Sequence, residues 1–324
     1  MSEPKAKRAL VLGCGGVAGA AWTIATLAEL ERRLAWDARK ADILIGTSSG
    51  ALIAGLLGSG VSVTRMVQSQ LGELADDCWN HDVDWGGPRP PKPELKPTAP
   101  ALAYRALTGS IPPMMGLIGL VPRGRADMRP FVRLIDRVVP PGQWASHPAT
   151  WIMVVDSNTG ERVPLGRTGV PQVALSAAVC ASYAIPGWCP PVTVAGRTYL
   201  DGGIASPTSA DLLIGTGVSE AIVLAPMACR ALDAPRGRSR LAEQMRHHMT
   251  RIVNREVHLL EQAGIRVARL EPGAEDLEAI GSNMMNPRRR RRVFDAAVRT
   301  AKDAVADALL AFHDEPRSLE AVGT

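Results

Sequence analysis

With 324 residues, 46% of them hydrophobic and 21% charged, the chain has the composition of an ordinary globular protein with a sizeable core, arranged as one large domain or two smaller ones. Five cysteines at positions 14, 78, 180, 189 and 229 are odd in number and lack Cys-x-x-Cys spacing, which argues against a zinc site or a disulfide framework and fits a reducing, cytoplasmic setting. The net charge of +5 gathers towards the C-terminus, with 16 basic and 9 acidic residues between Cys229 and Lys302, and suits either a solvated set of helices or contact with an anionic membrane or acidic substrate.

Lys5, Lys7 and Arg8 precede Ala9-Leu10-Val11-Leu12-Gly13-Cys14, a superficial likeness to a lipoprotein signal, but glycine ends the apolar run after four residues. Ala9–Gly13 therefore reads as a first core strand, followed by a glycine loop and a helix from about Gly19 to Leu34. Ala41–Ile45 is a second strand, and a Gly-x-Ser-x-Gly turn leads from it into a helix ending near Gly58 and Gly60. This order predicts an α/β fold whose parallel or mixed sheet is covered by helices. Between Trp79 and Arg125 the character changes. Pro88, Pro90, Pro91, Pro93, Pro97 and Pro100 are expected to exclude regular structure, and the following apolar stretch 111–118 is broken by Pro112 and Pro113. A long irregular segment of this kind is a lid, a binding loop or a surface insertion.

Regular structure resumes with a helix capped by Asp127 and running to Val139, with Pro130 near its first turn. Trp151–Val155 and Arg162–Leu165 form a hairpin, Val170–Ser182 a helix, and Val192–Val194 with Thr198–Leu200 a second hairpin. Strands at Glu220–Leu224 and Ile265–Leu270 and helices at Arg240–Gln262 and Arg288–Phe312 complete the chain. Neither an internal repeat nor a linker divides it, so a single domain over 1–324 is expected, with a basic helical region from about 230 to 324. No stretch approaches the length needed to span a bilayer.

The chemistry concentrates in three segments. In Gly46-Thr47-Ser48-Ser49-Gly50, a strand–turn–helix elbow would force a strained backbone on Ser48 and hold its hydroxyl out of the sheet edge, with the following helix dipole aimed at it. A serine needs a base and a stabilised oxyanion to act as a nucleophile. Gly13-Cys14-Gly15-Gly16-Val17-Ala18-Gly19 could present bare N–H groups to an anion; a dinucleotide loop or a tight turn are the alternatives. The next strand ends in the serine elbow rather than an acidic residue, which counts against a nucleotide. Asp201, in Tyr199-Leu200-Asp201-Gly202-Gly203, is either a base whose pKa burial raises or a turn aspartate. His247, His248, His258 and His313 follow it in the order of a Ser–Asp–His triad, but none has a catalytic loop setting, and the serine comes too early for the usual α/β-hydrolase. A dyad without histidine is the better reading.

These residues resemble the patatin-like phospholipase family. Residues 8–19 look like its glycine-rich oxyanion loop, residues 46–52 its nucleophile elbow, and Ala184-Ile185-Pro186-Gly187 followed by Tyr199–Gly203 its segment leading to Asp-Gly-Gly, a likeness that extends over about 8–225. The resemblance implies a three-layer α/β/α sandwich with a mostly parallel central sheet, related to the α/β-hydrolase fold. It also implies a Ser48–Asp201 dyad, an oxyanion hole at Gly15 and Gly16, supporting glycines at Gly13, Gly19, Gly46, Gly50, Gly202 and Gly203, hydrolysis of lipid acyl esters, and neither cofactor nor metal. Two positions depart from the pattern: Cys14 stands where the family has glycine, and Ala18 where a basic residue is common. The sequence after Gly203 resembles that of actinobacterial members. An acyltransferase or cyclase using the same dyad, or a catalytically idle lipid-binding protein, are the rival readings. The run Arg288–Arg292 reads as a solvated helix face ahead of the alternative, a peripheral contact with an anionic membrane, whereas nucleic acid is not expected because aromatic stacking residues are lacking.

Overall fold

The computed structural model describes residues 6–77, 79–81, 83–85, 89–229 and 240–313. Cys78, Pro88, Arg230, Arg236, Arg238 and the tail beyond His313 lie outside them. Strand β1 (Arg8–Leu12) leads into helix α1 (Gly16–Leu34), and β2 (Ile43–Thr47) into α2 (Ser49–Gly58) and α3 (Val63–Leu71). An insertion follows, carrying β3 (Glu94–Pro97), α4 (Pro100–Leu107), α5 (Pro113–Leu120) and β4 (Pro122–Arg123). After α6 (Arg129–Asp136) come the hairpin β5 (Thr150–Asp156) and β6 (Arg162–Leu165), then α7 (Leu175–Ser182) and the hairpin β7 (Val192–Val194) and β8 (Arg197–Asp201). The C-terminal part adds β9 (Glu220–Leu224), α8 (Arg240–Gln262), β10 (Arg266–Leu270), α9 (Ala274–Ile280) and α10 (Arg290–His313).

The central sheet runs β10-β9-β1-β2-β5-β8-β7, with β6 also paired to β5. Pairing is parallel from β10 through β5 and antiparallel from β5 onwards. The strands in the parallel part are buried on both faces, as their continuous apolar runs require. Their side chains alternate between two cores. Leu10, Leu12, Leu44 and Leu224 join residues of α1, α2, α6, α7 and α10, while Ala9, Val11, Ile45 and Val223 meet Leu213, Leu260 and the half-buried Val257 of α8. The result is a three-layer α/β/α sandwich with a mostly parallel sheet. Each fully buried leucine or isoleucine contributes about 1.5–3 kcal/mol.

Several boundaries move from those expected. Helix α1 begins at Gly16, three residues early, and β2 ends at Thr47, two residues late. Asp127 does accept a hydrogen bond from the Arg129 N–H (2.9 Å), but the helix ends at Asp136 and the N-cap is Met128. Helix α7 starts at Leu175 rather than Val170. Helices α3 and α9 were not expected. The larger correction concerns the proline-rich insertion, which holds regular structure: β3 pairs with β4 at the base of a helical hairpin, α4 and α5. Pro100 and Pro113 occupy the first positions of those helices, where the missing N–H has no intrahelical role. The hairpin closes tightly because Gly116 and Gly119 let α5 approach α4; a Cβ at Gly116 would fall 2.3 Å from that of Ala106.

The elbow helix seats against the end of β1 with no room to spare. A Cβ at Gly50 would lie 2.0 Å from the Leu12 carbonyl oxygen, whereas at Gly60 it would meet nothing within 4 Å. Gly50→Ala is therefore expected to destabilise the protein by about 3 kcal/mol or more. Gly60→Ala, at a positive φ in open space, costs about 1–2 kcal/mol. Urea unfolding of the two variants measures the contrast.

Candidate active site

Strand β5 brings two of the three motif segments to one place. On one edge β2 pairs with it in parallel as far as Thr47 opposite Met153. One residue further along, β8 arrives antiparallel and pairs Asp201 with Val154. Because Met153 and Val154 also pair with Pro164 and Val163 of β6, β2 and β8 must share the opposite edge, meeting end to end. Ser48 and Asp201 thus leave their strands at adjoining points.

Ser48 is buried, with φ 56° and ψ −120°, a conformation that non-glycine residues rarely adopt and that costs on the order of 1–3 kcal/mol. Ser182, on α7, helps to hold it there. The Ser48 N–H donates to Ser182 Oγ (2.8 Å), and the Ser182 hydroxyl donates to the Met153 carbonyl (2.7 Å). One buried hydroxyl therefore ties the elbow to the strand that sets its register.

Asp201 is buried and accepts a hydrogen bond from the Gly203 N–H (2.7 Å). Burial pushes its carboxyl pKa from 3.8 up to about 7, and the Ser48 side chain and the Gly203 N–H keep it from going higher. Neither partner is a histidine. His247, His248 and His258 lie exposed on α8.

The glycine loop follows β1. Gly13 N–H donates to the Leu224 carbonyl (2.9 Å) and Cys14 N–H to that of Pro207 (2.8 Å), while Gly19 N–H closes on Gly15 (2.8 Å). The N–H groups of Gly15 and Gly16 have no hydrogen-bond partner among the described residues. Helix α1 also lacks a side-chain cap, so these donors remain available to an anion. Gly16 has φ +57°, and a Cβ there would meet Met285 Sδ at 2.8 Å. Cys14, the departure from the family pattern, is buried beside Gly203, where a Cβ would lie 3.1 Å from its sulfur. Burial pushes that thiol far above its ordinary pKa, with the negative charge of Asp201 adding to the effect. Ala18, the second departure, is fully buried and its N–H donates to the Met284 carbonyl (2.9 Å).

Two supports could not be found by reading the chain. Glu256, on α8, is buried and accepts from Ser206 Oγ (2.5 Å), from Thr208 Oγ1 and from the Ala210 N–H (3.0 Å). Arg162 pairs with it at 3.4 Å and holds Asp211 with two bonds of 2.6 Å. Burial raises the Glu256 carboxyl pKa, which these hydrogen bonds oppose. The network fixes residues 206–211, which follow Asp-Gly-Gly and supply the carbonyl that receives Cys14. Its members are far apart in sequence, and a lone glutamate on an amphipathic helix gives no local signal. Ser182 is equally silent.

A cavity of about 490 Å³ lies beside the Asp201 segment, between Ile204, Ala205 and Ser206, the insertion residues Pro112, Met114 and Met115, and His248, Ile252, Arg255 and Leu259 of α8. A second, of about 290 Å³, lies among α1, α2, α3 and α6 and includes neither Ser48 nor Asp201.

The profile of the patatin-like phospholipase family matches residues 10–214, which contain the elbow, the glycine loop and Asp201. The chain belongs to the patatin-like phospholipase family. That family carries lipid acyl hydrolase activity in general, so the patatin-like chain is an enzyme of lipid metabolism at that level. No curated protein matches it. No helix among the described residues is long and apolar enough to cross a membrane. Cys14, Cys180, Cys189 and Cys229 are free and buried.

Replacing Ser182 by alanine leaves the buried Ser48 N–H and Met153 carbonyl unpaired, so Ser182→Ala should lower stability by about 2–4 kcal/mol, measured by denaturant unfolding. Asp201 acts on stability in the opposite sense. Between pH 3.8 and about 7 the folded chain keeps a proton that the unfolded chain has released, so this group's contribution is full below 3.8 and is lost as the pH rises through 7. Asp201→Asn should therefore stabilise the protein at pH 8 by an amount on the order of 2–4 kcal/mol relative to its effect at pH 4, read from melting curves at the two pH values.

Proposed function

We propose that this patatin-like protein is a serine acyl hydrolase that cleaves lipid carboxylic esters through Ser48 and Asp201, by way of a covalent acyl-enzyme. The observation that carries this reading is the pairing of a strained Ser48 with a buried aspartate whose pKa lies near 7. An ordinary carboxylate is too weak a base to take a serine proton, and burial narrows that gap.

In the first half-reaction the Ser48 hydroxyl gives its proton to the Asp201 carboxylate as Oγ bonds to the ester carbonyl carbon. The carbonyl electron pair moves to oxygen, and the Gly15 and Gly16 N–H groups receive that oxyanion, aided by the N-terminal end of α1. Collapse re-forms the carbonyl and breaks the bond to the alcohol, which departs with the proton from Asp201. In the second half-reaction water attacks the acyl-serine, Asp201 takes its proton, and the acid leaves as the proton returns to Ser48. The aspartate alternates between base and acid without histidine, which suits a carboxyl poised near neutrality.

Ser182 and Glu256 act by positioning, the first on the elbow backbone and the second on the loop that meets Cys14. The cytoplasm is the proposed location, in line with four buried free thiols.

A fluorophosphonate probe should label the native protein, and labelling should vanish in Ser48→Ala and fall by about 10³-fold or more in Asp201→Asn. Equal labelling of native protein and Ser48→Ala would overturn the assignment. Since only the ionised carboxylate accepts a proton, kcat/KM on a soluble short-chain ester should rise with pH through about 7 and level off above it.

A further inference from the structure

The insertion presents an apolar surface that the fold does not cover. Of the eleven large hydrophobic residues that are exposed among the described residues, six lie between 89 and 125: Leu95, Tyr104, Leu107, Met114, Leu117 and Leu120. They are arranged rather than scattered. Tyr104 and Leu107 are three residues apart on α4, and Met114, Leu117 and Leu120 form a stripe at the same spacing on α5. The opposite side of the hairpin is its anchor, where Leu102 and Met115 pack against Leu200, Ile204 and Ala205 on either side of Asp201. Helix α5 carries no polar side chain at all, yet half of its residues face solvent. A helix that is apolar all round needs something to cover its outer face.

Charge identifies what covers it. Between 89 and 125 there are six basic residues, Arg89, Lys92, Lys96, Arg105, Arg123 and Arg125, against the single acid Glu94. None of the six makes an ion pair among the described residues, and the Arg105 Nε is buried without a partner beside Tyr104. The contrast with the arginine run at 288–292 is direct. Arg289 binds the carbonyls of Glu278 and Ala279, Arg290 binds Gln70, Arg291 pairs with Asp295 and Arg292 with Glu278. Those arginines are engaged by the fold itself, whereas the positive charge of the insertion is uncompensated and borders its exposed leucines.

We propose that the α4–α5 hairpin docks the protein on an anionic phospholipid surface, its leucines and methionine entering the acyl boundary while the insertion's basic residues meet the headgroups. Docking on this face sets the cavity that Met114 and Met115 line, and with it the segment carrying Asp201, next to the lipid. The inference rests on the acyl-hydrolase reading for the fate of that lipid, but docking itself is measured without catalysis.

The test uses the full chain carrying Ser48→Ala, so that lipid is not consumed, and co-sedimentation with vesicles of phosphatidylcholine alone or mixed with phosphatidylglycerol. Binding to the mixed vesicles is expected to be about tenfold or more tighter, and to weaken steeply between low and high salt. Adding Leu107→Asn with Leu117→Asn, or Lys92→Glu with Lys96→Glu, should each reduce it by about tenfold or more, with unchanged melting curves showing that the fold is kept. Equal binding to both vesicle types, or binding untouched by either pair of substitutions, would overturn the proposal. A dimer in sedimentation velocity that Leu107→Asn with Leu117→Asn dissolves would also overturn it, by assigning the face to a second copy of the chain. Probe labelling of the native protein without vesicles tests the acyl-hydrolase reading separately.

Discussion

Strand β5 sets the geometry on which the site depends. A parallel strand and an antiparallel strand pair along one of its edges, and their ends abut where Met153 gives way to Val154. Hydrogen-bond register is quantised, so a slip of one residue in either partner would turn every side chain of that strand to the opposite core. The two-sided burial of β2 and the packing of Tyr199 and Leu200 in β8 forbid such a slip. The approach of Ser48 to Asp201 is therefore fixed by the hydrophobic pattern of the strands behind them. Ser182 then locks the junction by bonding both the elbow and Met153.

The features on which the proposed chemistry rests are unfavourable taken alone. A serine at positive φ, a carboxyl kept from water and uncapped N–H groups at the start of α1 all raise the energy of the folded state. They persist because contacts from distant parts of the chain over-determine them. Glu256 gathers four groups around the loop after Asp-Gly-Gly, and the Met284 carbonyl takes one of the donors of α1. The C-terminal elements, which lie beyond the family match, thus supply both two strands of the sheet and part of the rigidity of the site.

Much of this architecture was legible because its signals are local. The elbow, the glycine loop and Asp-Gly-Gly each occupy a few consecutive residues, and the buried strands announce themselves as short apolar runs, so Glu220–Leu224 was read with its observed bounds. The insertion misled because proline was read only as a breaker, whereas Pro100 and Pro113 open helices. Helix α3 was missed despite Ser62, which accepts the Arg65 N–H as an N-cap should. The supports of the site were illegible for a different reason. Ser182 and Glu256 act on partners 29 or more residues away, and nothing in their immediate neighbours distinguishes them from any other serine or glutamate.

The head-to-head meeting of β2 and β8 also has a kinetic meaning. Ser48 and Asp201 are separated by 153 positions (201 − 48), and their juxtaposition requires β5 to have paired with both β2 and β8. Contacts of such long range form late, because the loop between them must close before pairing rewards it. A partly folded chain in which β1, β2 and the elbow are already assembled would hold Ser48 without its aspartate. On the proposed function, reaction at Ser48 during refolding would report the pairing of β8 with β5 rather than the beginning of the sheet.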